Sequence, residues 1–133
     1  IHSHGYTIID DSYNASPDSM KASLKILSNY KSGGRKIAVL SDMLELGEKA
    51  PEYHREVGRF LASTDVTDLY VTGELSKEYI AEASSIKPSI RTRHFESNGD
   101  LIRFLEEFLS AEDVLLVKAS NGMKLKEVSD ALA

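Results

Sequence analysis

The feature that most constrains the fold is a regular alternation of short β-rich runs with longer segments of helical periodicity. The β-rich runs occupy residues 6–9, 36–40, 69–72, 92–95 and 114–117. Between them, apolar side chains recur three and four residues apart, as on the buried face of an amphipathic helix. Repeated strand–helix units predict an α/β domain in which a mostly parallel sheet of five to six strands carries helices on both faces.

Length and composition exclude several classes of protein. A chain of 133 residues has the size of one domain, so we expect residues 1–133 to form a single domain. Its longest aliphatic runs have four residues, against about 20 in a membrane-spanning helix, and we expect neither a membrane span nor a signal peptide. A net charge of −5 disfavours nucleic-acid binding. The absence of cysteine excludes thiol catalysis and disulfides and is consistent with a cytoplasmic protein.

Ligands of open α/β sheets bind beyond the carboxyl ends of the strands, which directs attention to the polar turns. Residues 10–17 read Asp-Asp-Ser-Tyr-Asn-Ala-Ser-Pro and follow the first strand. Such a turn can bind a ribose hydroxyl, a phosphate-bound metal or an amide. The alternative is a plain strand-to-helix turn in which Asn14 bonds the backbone and Ser16 caps the helix.

Two further turns carry functional side chains. In residues 41–47, Asp42 lies at the ligand edge, whereas the apolar members of the turn can fold back onto the domain or contact a partner. Lys118 ends the last strand and precedes Ser120 and Asn121, a combination that suits a carboxylate or phosphate. The alternative is a capped helix start with a solvated Lys118. His54 stands alone in a helical pattern, where a surface or partly packed position is usual.

The motifs of a complete nucleotide-dependent enzyme are missing. The chain has neither a G-x-x-x-x-G-K-[ST] phosphate loop nor a G-x-G-x-x-G fingerprint. It either works without them or depends on another domain. Residues 1–5 are expected to form a peripheral lead-in, and its His2 and His4 are too few for a metal site.

Four segments together resemble the carboxy-terminal domain of the Mur ligases. They read DDSYNASP at residues 10–17, LSDMLELG at 40–47, HREVG at 54–58 and VKASNGMKL at 117–125. Their order and spacing are most similar to the members of that family that add D-alanyl-D-alanine.

The resemblance implies a Rossmann-like three-layer domain of an ATP-dependent amide ligase. Such a ligase joins D-Ala-D-Ala to the UDP-MurNAc-tripeptide through an acyl phosphate, in cytoplasmic synthesis of peptidoglycan precursors. The UDP-sugar domain and the central ATPase domain are absent from this chain. ATP and Mg²⁺ are the implied cofactors, with Mg²⁺ held mainly by the central domain. The present domain is expected to close over the ATP site, position the dipeptide and be inactive alone.

The same resemblance implies which residues touch substrates. Asp11 corresponds to an acid that contacts the ATP ribose, and Ser12, Tyr13 and Asn14 complete the nucleotide-facing turn. The substrate-binding set consists of Asp42, Lys118, Ser120 and Asn121. No catalytic residue and no metal ligand is expected in this chain.

The sequence departs from the family pattern most at two positions. Ala119 and Asn121 replace the glycine and the arginine of the family's KGSRGM segment, while Ser16 and Ser41 are conservative replacements. An asparagine cannot form the bidentate carboxylate pair that an arginine forms. How the dipeptide carboxylate is held therefore stays open.

Two alternatives come from other classes. A phosphoryl-receiving, CheY-like signalling domain has paired acids after its first strand and a lysine after its last, as Asp10, Asp11 and Lys118 are placed here. It also needs an aspartate at the end of its third strand, where this chain has Thr72-Gly73-Glu74. The other alternative is a stand-alone binding module of ligase ancestry, favoured by the asparagine at position 121.

Overall fold

Six strands form one sheet, and their order determines which turns meet. The computed structural model describes residues 2, 3 and 5–133, and its strands are β1 (His2–Ser3), β2 (Tyr6–Asp11), β3 (Lys36–Leu40), β4 (Asp68–Thr72), β5 (Arg91–Phe95) and β6 (Val114–Lys118). The order is β1-β2-β6-β3-β4-β5, with β1 antiparallel to β2 and the remaining neighbours parallel. The predicted mostly parallel sheet is confirmed.

The amino-terminal lead-in is in part the edge strand β1. The sequence does not predict β1, because two residues carry no periodic pattern. His4 lies outside the described residues, as does the side chain of His2, so the expectation for these histidines stays a prediction.

Two of the helices begin at the capping residues that the sequence indicates. They are α1 (Pro17–Asn29), α2 (Ala50–Ala62), α3 (Lys77–Ile86), α4 (Asn98–Phe108) and α5 (Lys126–Leu132), with short 3₁₀ turns at Gly47–Lys49 and Asn121–Met123. Ser16 accepts a hydrogen bond from the Ser19 backbone N–H at the start of α1. Ser97 does the same for Asp100 at the start of α4. Each hydroxyl satisfies a donor that the helix itself leaves free.

The sheet is the middle of three layers. Helices α1, α2 and α3 cover one face, where Leu24, Val57 and Tyr79 belong to one fully buried cluster. Helices α4 and α5 cover the other face through a second cluster that contains Leu105 and Val128. The predicted α/β arrangement with helices on both faces is therefore confirmed.

The return of the chain from β5 through α4 inserts β6 between β2 and β3. If only the five parallel strands are numbered, from β2 as strand 1 to β6 as strand 5, their order in the sheet is 1-5-2-3-4. A CheY-like receiver has the order 2-1-3-4-5. In addition, Thr72 ends β4 and its buried hydroxyl donates to Ser41 Oγ, so no carboxylate stands where a receiver needs its phosphoacceptor. The receiver alternative is not favoured.

Insertion of β6 also brings the three polar turns to one place. Lys118 at the end of β6 is in register with Asp11 on β2 and with Leu40 on β3. The carboxyl ends of these strands therefore lie side by side. Within the described part of the chain, no helix is long and apolar enough to cross a membrane.

Candidate functional site

The turns that follow β2, β3 and β6 enclose a cleft of about 530 Å³. All three turns contribute to its walls, which are formed by Tyr13, Asn14, Ala15, Ser16, Ser19, Leu44, Glu45, Ser120, Asn121 and Gly122. Segments that are far apart in sequence thus converge on one site, as the strand-end rule for α/β sheets predicts.

Lys118 and Asp11, which the resemblance assigns to different substrates, form an ion pair with each other. Lys118 Nζ lies 2.7 Å from Asp11 Oδ2 and 3.0 Å from the carbonyl oxygen of Asn14. The Lys118 side chain is 2% exposed, so the alternative of a solvated lysine is wrong. Its position opposite Asp11 in the sheet explains the burial. Through these two bonds, Lys118 connects the β2–α1 turn to the end of β6.

The Asp11 side chain is partly exposed to solvent although it forms an ion pair with Lys118. Its side chain is 47% exposed, and Oδ2 also accepts a hydrogen bond from Ser23 Oγ. Burial alone would raise the pKa of Asp11, but the hydrogen bonds from Lys118 and Ser23 outweigh it and hold that pKa below its usual value. Asp11 is therefore ionised at neutral pH and can accept a hydrogen bond from a ligand hydroxyl.

Tyr13 stands between the main cleft and a smaller one of about 240 Å³. The smaller cleft is lined by Asp10, Asp11, Ser12, Tyr13, Asn121 and Lys126. Ser12 is buried and donates to Asp10 Oδ1 at 2.6 Å, so its hydroxyl serves the turn. Tyr13 is 72% exposed. Of the predicted nucleotide-facing residues, Tyr13 and Asn14 therefore present their side chains outward, while Ser12 lies inside.

Ser120 joins the β6 turn to the β3 turn. Its Oγ accepts a hydrogen bond from the Leu44 backbone N–H at 2.8 Å, and its own N–H donates to the Asp42 carbonyl oxygen. Gly122 lies against Leu44, because a Cβ atom at position 122 would be 2.8 Å from Leu44 Cδ1. These contacts fix the part of the cleft wall that Leu44, Ser120 and Gly122 form.

Asp42 points into the domain. Its Oδ1 accepts hydrogen bonds from the Ser76 backbone N–H at 2.8 Å and from Ser76 Oγ at 2.7 Å, and the residue is 7% exposed. The backbone of Gly73 packs so closely that a Cβ atom there would overlap the carboxylate. Asp42 thus ties the β3 turn to the start of α3. Its assignment to the substrate stays a prediction.

His54 is fully buried, in contrast to the surface or partly packed position expected for it. Its Nδ1 lies 2.7 Å from the Ala50 carbonyl oxygen, and its Nε2 is 3.0 Å from the Met43 backbone nitrogen. Because Met43 N–H can only donate, Nε2 accepts and Nδ1 carries the proton. The ring packs 4.9 Å from that of Tyr79. Burial lowers the pKa of His54, which keeps it neutral in this role.

Glu45 is a cleft residue that reasoning from the sequence missed. It lies within the motif at residues 40–47, but its apolar neighbours favour an interpretation in which the turn folds back onto the domain or contacts a partner. Nothing in the pattern shows that its backbone is left-handed, with a φ of 63°. The structure places it in the cleft wall beside Leu44.

The predicted residues have two roles, and Asp11, Ser12 and Ser120 have both because they also line a cleft. Asp11, Ser12, Asp42, Lys118 and Ser120 bond to other parts of the protein and build the three turns. Tyr13, Asn14 and Asn121 have side chains that line the clefts. Among the described residues, no group of three His, Asp or Glu side chains is arranged to hold a metal ion.

A family model described as "Mur ligase, glutamate ligase domain" matches residues 1–121. Two similar curated proteins are named UDP-N-acetylmuramoyl-tripeptide–D-alanyl-D-alanine ligase. The one from Bacillus subtilis is 38% identical over 93% of this chain and 27% of its own length. The one from Mycobacterium tuberculosis H37Rv is 38% identical over 96% of this chain and 29% of its own length. The chain thus spans about a quarter to a third of these relatives.

Solved structures agree with the fold. MurF from Thermotoga maritima in complex with ADP is 32% identical, has a TM-score of 0.76, and is matched over 99% of this chain and 29% of that one. MurF from Acinetobacter baumannii has a TM-score of 0.83 at 23% identity, over 99% of this chain and 28% of that one, which supports the fold alone.

Proposed function

This chain belongs to the Mur ligase family, and we propose that it is the carboxy-terminal domain of an ATP-dependent ligase that adds D-Ala-D-Ala to the UDP-MurNAc-tripeptide. The observation that carries this proposal is the similarity to relatives of that name over nearly the whole chain. Because the chain covers about a quarter of those relatives, the activity belongs to a longer protein. We propose that this longer protein also contains a UDP-sugar domain and a central ATPase domain.

The role that we assign to this domain is to position the amine of the dipeptide against the acyl phosphate. In the proposed reaction, the amine of the dipeptide attacks an acyl phosphate that the tripeptide carboxylate has formed with ATP, and inorganic phosphate leaves. Holding amine and acyl phosphate in contact, away from water, removes much of the entropic barrier to such a step. A cleft walled by three firmly connected turns suits this task.

The two clefts suggest how substrates are divided. We assign the smaller cleft, with Ser12, the open side of Asp11 and the exposed Tyr13, to the nucleotide. Asn14, which was predicted to face the nucleotide with them, lines the main cleft instead. The ADP-bound relative supports a nucleotide role for the domain's family. We assign the main cleft to the dipeptide, with Ser120 and Asn121 in its wall. Lys118 and Asp42 act by holding these walls in place.

Mg²⁺ does not fit this chain as a resident ion. The neighbouring carboxylates of Asp10 and Asp11 are already engaged by Ser12, Ser23 and Lys118, and the ammonium of Lys118 repels a second cation. We therefore assign Mg²⁺ to the central domain. ATP enters as a substrate, and the proposed location is the cytoplasm, where nucleotide-linked precursors and ATP are present.

The test uses the full-length protein. With ATP, Mg²⁺, UDP-MurNAc-tripeptide and D-Ala-D-Ala, we expect phosphate release that stops when the tripeptide or the dipeptide is omitted. The 133-residue chain alone is expected to release none. Turnover by this chain alone would contradict the need for a central domain. A natural gene product of the size of this chain would instead favour the stand-alone binding module.

A further inference from the structure

The main cleft contains one carboxylate that the fold does not use. Of the residues that line it, Glu45 alone carries a charge. In the part of the chain that the structure describes, its carboxylate has no hydrogen-bond or ion-pair partner, unlike those of Asp11 and Asp42 in the same turns. Glu45 is exposed at the cleft surface and free to meet a ligand.

The backbone of Glu45 has a conformation that is unfavourable for residues other than glycine. A φ of 63° is left-handed, a region that residues other than glycine rarely occupy. Leu44 before it is fixed by Ser120 Oγ and by packing against Gly122. Met43 is fixed by His54. Surroundings that impose such a conformation are typical of functional sites, and here they aim one carboxylate at one cleft.

The negative charge of the main cleft favours a cationic ligand. The nearby cation, Lys118, is buried and already paired with Asp11, while Lys126 lines the smaller cleft instead. An unpaired carboxylate repels phosphates and carboxylates and attracts an ammonium group. Neutral hydrogen-bonding groups from Asn14 and Asn121 stand in the same wall.

We propose that Glu45 binds the ammonium group of the incoming amine substrate before it reacts. The inference rests on the proposed function and deepens it, because it names the end of the dipeptide that this chain recognises. Because Glu45 is the one charged residue among those that line the cleft, the electrostatic contact of the cleft with its ligand is made at the amino terminus of the substrate.

The first test measures kinetics of the full-length protein. We expect Glu45→Gln to raise KM for D-Ala-D-Ala about tenfold or more, as loss of a charged hydrogen bond does. KM for ATP should change less than about twofold, since the nucleotide does not meet this side chain. Glu45→Asp should recover part of the loss. Glu48→Gln, an exposed glutamate outside the cleft lining, is the matched control and should behave as wild type.

The second test measures binding without turnover. Calorimetry compares D-Ala-D-Ala with its N-acetyl derivative, which lacks the charge. Wild type should prefer the free amine, and Glu45→Gln should lose that preference. A wild-type protein that binds both probes equally, or neither, would overturn the proposal, as would an unchanged preference in Glu45→Gln. Absence of dipeptide ligation by wild type contradicts the proposed function instead, so the two failures are distinguishable.

Discussion

The buried histidine of α2 offers the sharpest test of how the cleft is built. His54→Leu keeps a side chain of similar bulk but removes the acceptor for the Met43 backbone N–H. A buried donor left without a partner costs about 1–3 kcal/mol. Loss of the ring contact with Tyr79 adds roughly 0.5–1.5 kcal/mol. The free energy of unfolding should therefore fall by about 3 kcal/mol.

The assay is equilibrium unfolding of the 133-residue chain by urea and by heat. A loss of that size lowers Tm by roughly 10 °C in a domain of this length. His54→Gln, whose amide oxygen can accept from Met43, should recover part of the loss. A Tm drop below about 2 °C for His54→Leu would refute the view that this histidine holds the β3 turn.

The same residue should give a distinctive pH dependence. Because burial lowers the pKa of His54, the folded state binds fewer protons than the unfolded state, in which the pKa is about 6.5. The contribution is fully present above that value and is lost as the pH falls toward the folded-state pKa. Between pH 7 and pH 5, the wild-type free energy of unfolding should fall by up to about 1.4 kcal/mol per pH unit. His54→Leu should lack this component, and equal slopes for both proteins would contradict the assignment.

Three further predictions concern the turns themselves. In the full-length ligase, Asp11→Ala should raise KM for ATP more than Lys118→Ala does. Lys118→Ala should raise KM for both ATP and the dipeptide, because Lys118 holds the β2–α1 turn that lines both clefts. Unchanged kinetics in both variants would reject the site assignment. Gly73→Ala should lower the free energy of unfolding by at least about 2 kcal/mol in urea titrations, because its φ is +94° and a Cβ atom would overlap Asp42. Gly122→Ala should change stability by less than about 0.5 kcal/mol, since the flexible end of Leu44 can move, yet it should raise KM for the dipeptide several-fold.

The architecture was largely predictable from local patterns. Strand periodicity places β3 at residues 36–40, where the structure has it, and misses the start or end of the other parallel strands by one or two residues. Ser16 and Pro17 mark the start of α1 because capping depends on neighbouring residues alone. The three polar turns were identified because ligand sites follow parallel strands.

The roles of individual polar side chains were not predictable in the same way. Whether Lys118 is solvated or buried depends on Asp11, a residue more than a hundred positions away, and on the insertion of β6 beside β2. The burial of His54 depends on a turn outside its own helix. The position of Glu45 in the cleft depends on its left-handed backbone and on the contacts of its neighbour Leu44 with Ser120 and Gly122. All three follow from tertiary contacts that periodicity does not encode.

Product analysis tests whether this chain presents D-Ala-D-Ala within an ATP-dependent ligase. The full-length protein is given ATP, Mg²⁺, UDP-MurNAc-tripeptide and an equimolar mixture of D-Ala-D-Ala, D-Ala and N-acetyl-D-Ala-D-Ala, and the UDP-linked products are identified by mass spectrometry. We expect one main product, the tripeptide extended by the free dipeptide. A main product extended by D-Ala alone, or no extended product, would contradict it.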